Sequence, residues 1–473
     1  MLVLFLLCMI CFNFKRNYLL PLDGDLPAIV LPVPSYETVM SDPFGMNVLF
    51  HDSVYAAPNR YFMHAIMSAY FKTVPFWFQQ FATPIDSIYF TAAFARTFTQ
   101  FFLVFIIAMY ATGKKNFLDL DFLLAAAICV PLFQTYGFYT WMAVLDQAVT
   151  YMFFYAFSMS LVLLYFLPFF NAAIGRTPYN FKNSLLAMLI LLCVVNSFSG
   201  PLNAPVTILI CSAIFINHFA SNLKKFNTGP FISRLKNIFR NVPRRFMGVI
   251  LLSLILGLYS FYIGRNNMEN QWSTLTLNES YRRLLTGFWY HYTFKLAQPV
   301  LIGIVILNAI LIYYLKPDAE AKKVIRLIRW FGIISLLYIF LLPLGGYRIY
   351  RSNIIRYDTI MPVTLGLIIF YAYSAVYVMN HLKTKYKLVL YSLLITGITV
   401  LYVHEDWGIR NKNACERSAF EDIAASRENI VLLKQDCQVM NWGKMRIPEH
   451  SKSKTDMLLY WNIISEPKLY YQD

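Results

Sequence analysis

Apolar residues run through this chain in long blocks separated by short polar punctuation, and the blocks have the length of helices rather than strands. They predict membrane-spanning helices at about Tyr89 to Thr112, Leu118 to Phe133, Val149 to Phe170, Ser184 to Asn196, Ala204 to Phe219 and Phe246 to Gly264. Four more follow at about Pro299 to Leu315, Trp330 to Leu344, Thr359 to Met379 and Leu388 to His404. Met1 to Phe12 is also apolar, but at 1.5 Å per residue it covers only about 18 Å of the roughly 30 Å hydrocarbon layer. Either its helix continues to near Leu20, with Lys15 and Arg16 extending toward the interface, or further residues precede it. It has neither a basic n-region nor an A-x-A site, so it does not read as a cleaved leader. The expected fold class is all-α: a polytopic transmembrane bundle of about ten or eleven spans. Tyr61 to Phe81, aromatic and weakly charged with a break at Pro75, reads as helices lying along the interface. The bundle occupies 1–403, including a polar loop over 20–88, and 404–473 forms a separate tail of mixed charge.

Composition sharpens this picture. Of 473 residues, 58% are hydrophobic and 14% charged, where a soluble chain carries about 25% charged residues. A net charge of +16 could indicate nucleic acid, but the basic residues sit in alternate short loops, which is how membrane orientation is encoded. Lys114, Lys115, Arg176, Lys224, Arg240, Lys322, Arg326, Lys383 and Lys387 mark one side, which the positive-inside rule makes cytoplasmic. The 20–88 loop and the tail then face outward. The expected partner is the lipid bilayer, not nucleic acid.

Candidate chemistry concentrates on that outward side. Asp23-Gly24-Asp25 sets two carboxylates one residue apart, with Gly24 allowing the backbone to bend so that both face one ligand; the same triplet also suits a solvated turn with an N-cap aspartate. Asp52 and Arg60 follow in the same loop, flanked by His51 and His64. Later, Arg348, Arg351 and Arg356 place three guanidiniums on an outward loop against the positive-inside trend, and Arg is the side chain that forks onto phosphate; headgroup contact or pairing with Asp358 is the plainer alternative. Arg96 and Asp146 are ionisable groups within or beside spans. Of the seven cysteines, only Cys415 and Cys437 lie outside apolar segments, so they are the disulfide candidates. The chain lacks a Walker loop, a dinucleotide fingerprint, a G-x-S-x-G and an H-E-x-x-H, which argues against ATP- or NAD-driven chemistry.

This layout resembles the GT-C class of polytopic glycosyltransferases, which use polyprenyl-phosphate-linked sugars. The resemblance rests on a first span, an outward loop with acidic residues near its start, interfacial helices, many further spans and an outward C-terminal part. It implies a transferase that moves a sugar from such a donor to an extracytoplasmic acceptor in the cell envelope, sited in the cytoplasmic membrane of a bacterium. It further implies Asp25 or Asp23 as catalytic base or as ligand of a divalent cation, with Arg348, Arg351 and Arg356 holding the lipid phosphate. Gly24 departs from the adjacent acidic pair common in that class, and the short first span is a second departure. A transporter or flippase of a lipid-linked or small solute would instead show ionisable groups at mid-membrane, for which Arg96, Pro131 and Pro168 are the hints. An O-antigen ligase or polymerase-like enzyme would use the outward arginines without the Asp-Gly-Asp.

Overall fold

A computed structural model describes residues 1–133, 144–225, 243–272, 275–294, 296–315, 317–345, 353–405 and 408–473. Among these, eight helices are long and apolar enough to cross a membrane: Pro84–Thr112, Val149–Ile174, Asn203–Ala220, Arg244–Gly264, Ala297–Tyr314, Ala319–Gly345, Tyr357–His381 and Lys385–His404. Leu120–Phe133 and Asn183–Ser197 are apolar but shorter. Two of the expected spans therefore have less than full crossing length.

Pro84–Thr112 and Tyr357–His381 form the centre, buried along most of their length, while Ala319–Gly345 and Lys385–His404 sit at the periphery. The peripheral helices turn Leu336, Phe340, Leu390 and Leu393 outward. Such a surface has no aqueous rationale. The first helix, Leu2–Tyr18, continues past Phe12 with Lys15 and Arg16 in its last turn, and it packs along Pro84–Thr112.

The polar loop folds into short helices at Leu26–Val30, Pro34–Ser41 and Met46–His51. Tyr61–Phe78 is then one helix carrying Pro75 inside it, rather than segments broken there. The reason lies far away in the chain. Proline has no N–H and so deprives the carbonyl four residues earlier of its helical partner. That carbonyl belongs to Phe71, and it accepts the indole N–H of Trp461 at 3.0 Å. Trp461, fully buried, comes from the tail, and its own carbonyl accepts Gln79 Nε2 at 2.7 Å.

The tail comprises helices Ala414–Ala425 and Lys452–Tyr460 with a parallel pair of strands, Ile430–Leu433 and Leu469–Gln472, in the register Ile430 to Leu469. Cys415 and Cys437 are joined by a disulfide, with Cα atoms 6.3 Å apart. The tail docks on the bundle through polar contacts to the early chain. Backbone N–H groups of Lys412 and Asn413 donate to the Leu19 carbonyl. Arg417 pairs with Asp86 at 2.5 Å and lies over the rings of Tyr18 and Tyr89.

If Trp461 closes the Pro75 gap, Trp461→Phe keeps the packing but strands a buried carbonyl, at a cost of about 1–3 kcal/mol. Limited proteolysis of the detergent-solubilised protein should then cut the tail faster than in the wild type.

Candidate functional site

Asp23 is buried, and its carboxylate is a junction. Oδ1 accepts the N–H groups of Asp25 and Leu26, each at 3.2 Å, and the Thr150 hydroxyl at 2.6 Å, while Oδ2 accepts the Thr150 N–H at 3.0 Å. Oδ1 thus takes three donors and Oδ2 one, so most of the carboxylate's acceptor capacity goes to these two chain segments. The residue caps both Leu26–Val30 and the helix that opens at Val149, placing its charge where two helix N-termini present free N–H groups. Gly24 serves a purpose different from the expected bend: a Cβ there would lie 2.8 Å from both the backbone nitrogen and Cδ1 of Trp442, so glycine permits the tail to approach.

Asp25, half-buried, points the other way. Its Oδ1 accepts the Trp442 indole N–H at 2.9 Å, and Trp442 stacks on Tyr151 with ring centroids 5.5 Å apart. Lys454 stands close enough for Asp25 to oppose the lowering of its pKa, a lowering caused by burial.

Three further carboxyls crowd the Asp23 junction. Asp146 Oδ1 accepts the Ala148 N–H at 2.8 Å, and burial, reinforced by the charges of Asp358 and Asp23, pushes its pKa up to about 6 against the pull of the Tyr357 hydroxyl and the Ala148 N–H. Glu416 accepts Leu22 N–H, Met440 N–H and the Tyr89 hydroxyl at 2.9, 2.7 and 2.8 Å, yet full burial, with Asp23 nearby, lifts it to about 7. Asp358 is held by Arg356 in a fork of 2.9 and 3.0 Å, and the third guanidinium nitrogen donates to the Asn353 carbonyl at 3.2 Å. Of the sequence-predicted residues, Asp23, Asp25 and Arg356 thus belong to one neighbourhood, linked through Asp146 and Asp358. Arg356 is committed to its aspartate. Arg348 and Arg351 lie outside the described residues.

The other two candidates sit elsewhere. Asp52, exposed, has Arg265 at 3.4 Å and Asn266 at 3.0 Å as partners, and neither belongs to the acidic group. Arg60 forms the N-cap of Tyr61–Phe78; its carbonyl meets His64 Nδ1 at 2.9 Å, and its Nε is buried without a hydrogen-bond partner. Burial, with Arg60 adding to it, lowers His64 to a pKa of about 4, so the imidazole is neutral beside that guanidinium. His64 in turn packs on Phe154, within the π-helical turn Met152–Phe157 that follows Thr150. Turns of this kind break helical regularity and recur where a helix borders a functional site.

Among the described residues there is no group of three or more His, Cys, Asp or Glu able to hold a metal.

Beside this neighbourhood opens an almost wholly apolar cavity of about 440 Å³ between Val149–Ile174, Asn203–Lys225, Ala319–Leu341 and Tyr357–His381. Tyr338 and Pro362 line it at one end, and Tyr110, Tyr179 and His218 at the other. The Tyr338 hydroxyl donates to the Thr359 carbonyl at 2.8 Å, next to Asp358.

Trp442, Glu416 and Lys454 escaped the reading of the sequence because the tail meets residues about four hundred positions earlier, and no local pattern encodes such a contact. For Glu416 and Trp442 the one signal was nearness in sequence to Cys415 and Cys437; Lys454 had none.

Compared with known proteins, the chain matches no family model and no curated protein.

Carboxyls whose pKa is higher folded than unfolded bind more protons in the native state, so the stability they contribute is fully present below the unfolded value and is lost as pH rises through the folded one. For Asp146 that window runs from 3.8 to about 6, and for Glu416 from 4.5 to about 7. The unfolding temperature should fall between about pH 5 and about pH 8. In thermal melts at the two pH values, Glu416→Gln, which cannot ionise, should shrink that fall while lowering the value at the acid end.

Proposed function

We propose that this chain is an integral membrane glycosyltransferase, moving a sugar from a polyprenyl-phosphate-linked donor to a hydroxyl of an acceptor on the non-cytoplasmic side. The observation that carries the reading is the adjacency of two environments: an apolar cavity among four long helices, and a cluster of carboxylates, with the Arg356 guanidinium among them, at its Tyr338 end. A donor that is half prenyl chain and half phosphosugar needs that pairing. The chain requires an apolar slot, and the reacting bond must sit where a base and a cation can reach it.

In this reading Asp25 takes the acceptor's hydroxyl proton as the acceptor oxygen attacks the anomeric carbon. The bond from that carbon to the phosphate oxygen breaks, and polyprenyl phosphate leaves with the electron pair. Asp23 is not the base in this reading, because it is buried and its four hydrogen bonds hold two helix starts. Arg356 is forked onto Asp358, so the phosphate ligand in this reading is Arg60, which has no carboxylate partner among the described residues and connects to the turn after Thr150 through His64 and Phe154. Phosphate is the ligand that a guanidinium fork suits best.

The test is release of polyprenyl phosphate from a panel of polyprenyl-phosphate hexoses by protein reconstituted in vesicles. Asp25→Asn should lower the rate about 100-fold or more, the usual worth of a general base. Arg60→Ala should lower it through donor binding, and Ala213→Trp, which fills the cavity, should abolish donor binding with the fold retained. Movement of the lipid across the vesicle without bond cleavage would replace the transferase with a transporter.

Orientation has its own check. In protein whose unpaired cysteines are replaced by serine, His51→Cys and Lys434→Cys should both react with an impermeant maleimide applied to intact cells, and Lys383→Cys should not. Reaction of just one of the first pair would overturn the placement of loop and tail on the same side.

A further inference from the structure

The contact between Asp25 and the tail is more specific than docking requires. Trp442 is 48% exposed. Its position is fixed from several sides. The indole N–H donates to Asp25, the ring stacks on Tyr151, and its backbone nitrogen lies close over Gly24. The loop that presents it is held at its base. Gln438 Nε2 donates to the Trp442 carbonyl at 2.8 Å, and the Met440 N–H donates to Glu416 at 2.7 Å. Met440 takes a left-handed conformation, φ +45°, that a non-glycine residue adopts only when its surroundings impose it. Immediately before that turn, Cys437 is bridged to Cys415, the neighbour of Glu416. The disulfide therefore ties the start of the loop to the helix that carries its acceptor.

We propose that Trp442 is the positioning residue of Asp25, and that the Cys415–Cys437 bridge is what holds Trp442 in place, so that the tail completes the site. The proposal rests on Asp25 as the proton acceptor for its meaning in transfer, but its geometry does not depend on the reaction. An N–H aimed at one carboxylate oxygen fixes the orientation of the group and favours its charged form. Removing it takes away one of the contacts that orient the group and makes the carboxylate easier to protonate, with the Lys454 charge still nearby. Opening the bridge should have the same effect at a distance, since reduction by a dithiol such as dithiothreitol adds two electrons and two protons to give two thiols, the dithiol closing to its own disulfide.

The experiment reads Asp25 directly and needs no sugar donor. Full-length protein in detergent is treated with a water-soluble carbodiimide and an amine across a pH series, and amidation at Asp25 and at the exposed Glu37 is followed by mass spectrometry. Trp442→Phe, which keeps an aromatic ring on Tyr151 but lacks the N–H, should move the pH midpoint of Asp25 labelling upward and raise labelling several-fold at mildly acid pH, with Glu37 unchanged. Wild-type protein reduced by dithiothreitol, and Cys437→Ser, should shift in the same direction, and reduction of Trp442→Phe should add little. An unchanged Asp25 midpoint in Trp442→Phe would make Trp442 a packing residue. Unchanged labelling after reduction, with both thiols confirmed free by mass, would remove the bridge from the account. Normal responses here together with no sugar release in the vesicle assay would sink the transferase and leave the positioning intact.

Discussion

The carboxylate of Asp23 is the constraint on which the surrounding structure depends. It takes two backbone N–H groups from its own turn, and both the N–H and the hydroxyl of Thr150 from the start of a long apolar helix. Orphan donors at a helix start must be satisfied, and one buried carboxylate here satisfies donors at two helices at once. Because those helices belong to chain segments more than a hundred residues apart, the same set of hydrogen bonds sets the register of the polar loop against the bundle. Asp25, two residues on, inherits its position from this junction, and Tyr151, one residue beyond Thr150, is placed to receive the tail's Trp442.

Crowding carboxyls around such a junction has electrostatic consequences. Asp146, Asp358 and Glu416 cannot all be ionised near Asp23 without compensation, and the structure resolves this unevenly. Asp358 is neutralised by the Arg356 fork, whereas burial shifts Asp146 and Glu416 toward their protonated forms. The contrast separates groups that hold structure from groups with capacity to exchange a proton. It also commits Arg356 to an aspartate, whereas the buried Nε of Arg60 has no hydrogen-bond partner.

The tail makes the same point through backbone chemistry. Pro75 would ordinarily interrupt a helix, and it does leave the Phe71 carbonyl without a partner. The helix stays whole because Trp461 supplies the missing donor from the far end of the chain. A second tail tryptophan reaches Asp25, and Glu416 reaches Leu22 and Tyr89. What reads as an appendage in composition is, in contacts, part of the bundle's acidic end.

Much of this protein was legible one residue after another. The length and apolarity of the blocks determined the helices, because an isolated run of such residues can satisfy its backbone only by folding on itself, and the shift to mixed charge after His404 marked the tail. The pair Cys415 and Cys437 stood out because both fall in polar surroundings. The sequence could not tell Asp23 from Asp25, since two aspartates flanking a glycine are alike until Thr150 and Trp442 arrive to claim one each. Nor could it show that Pro75 leaves its helix unbroken, or that Arg356 is spent on Asp358 while Arg60 is not. Those outcomes turn on partners brought together by packing, and a hydrogen bond between residues hundreds of positions apart leaves no periodicity in either stretch of chain. Helix formation is local and can be read locally; the division of labour among identical side chains is decided only where distant segments compete for the same lone pairs and donors.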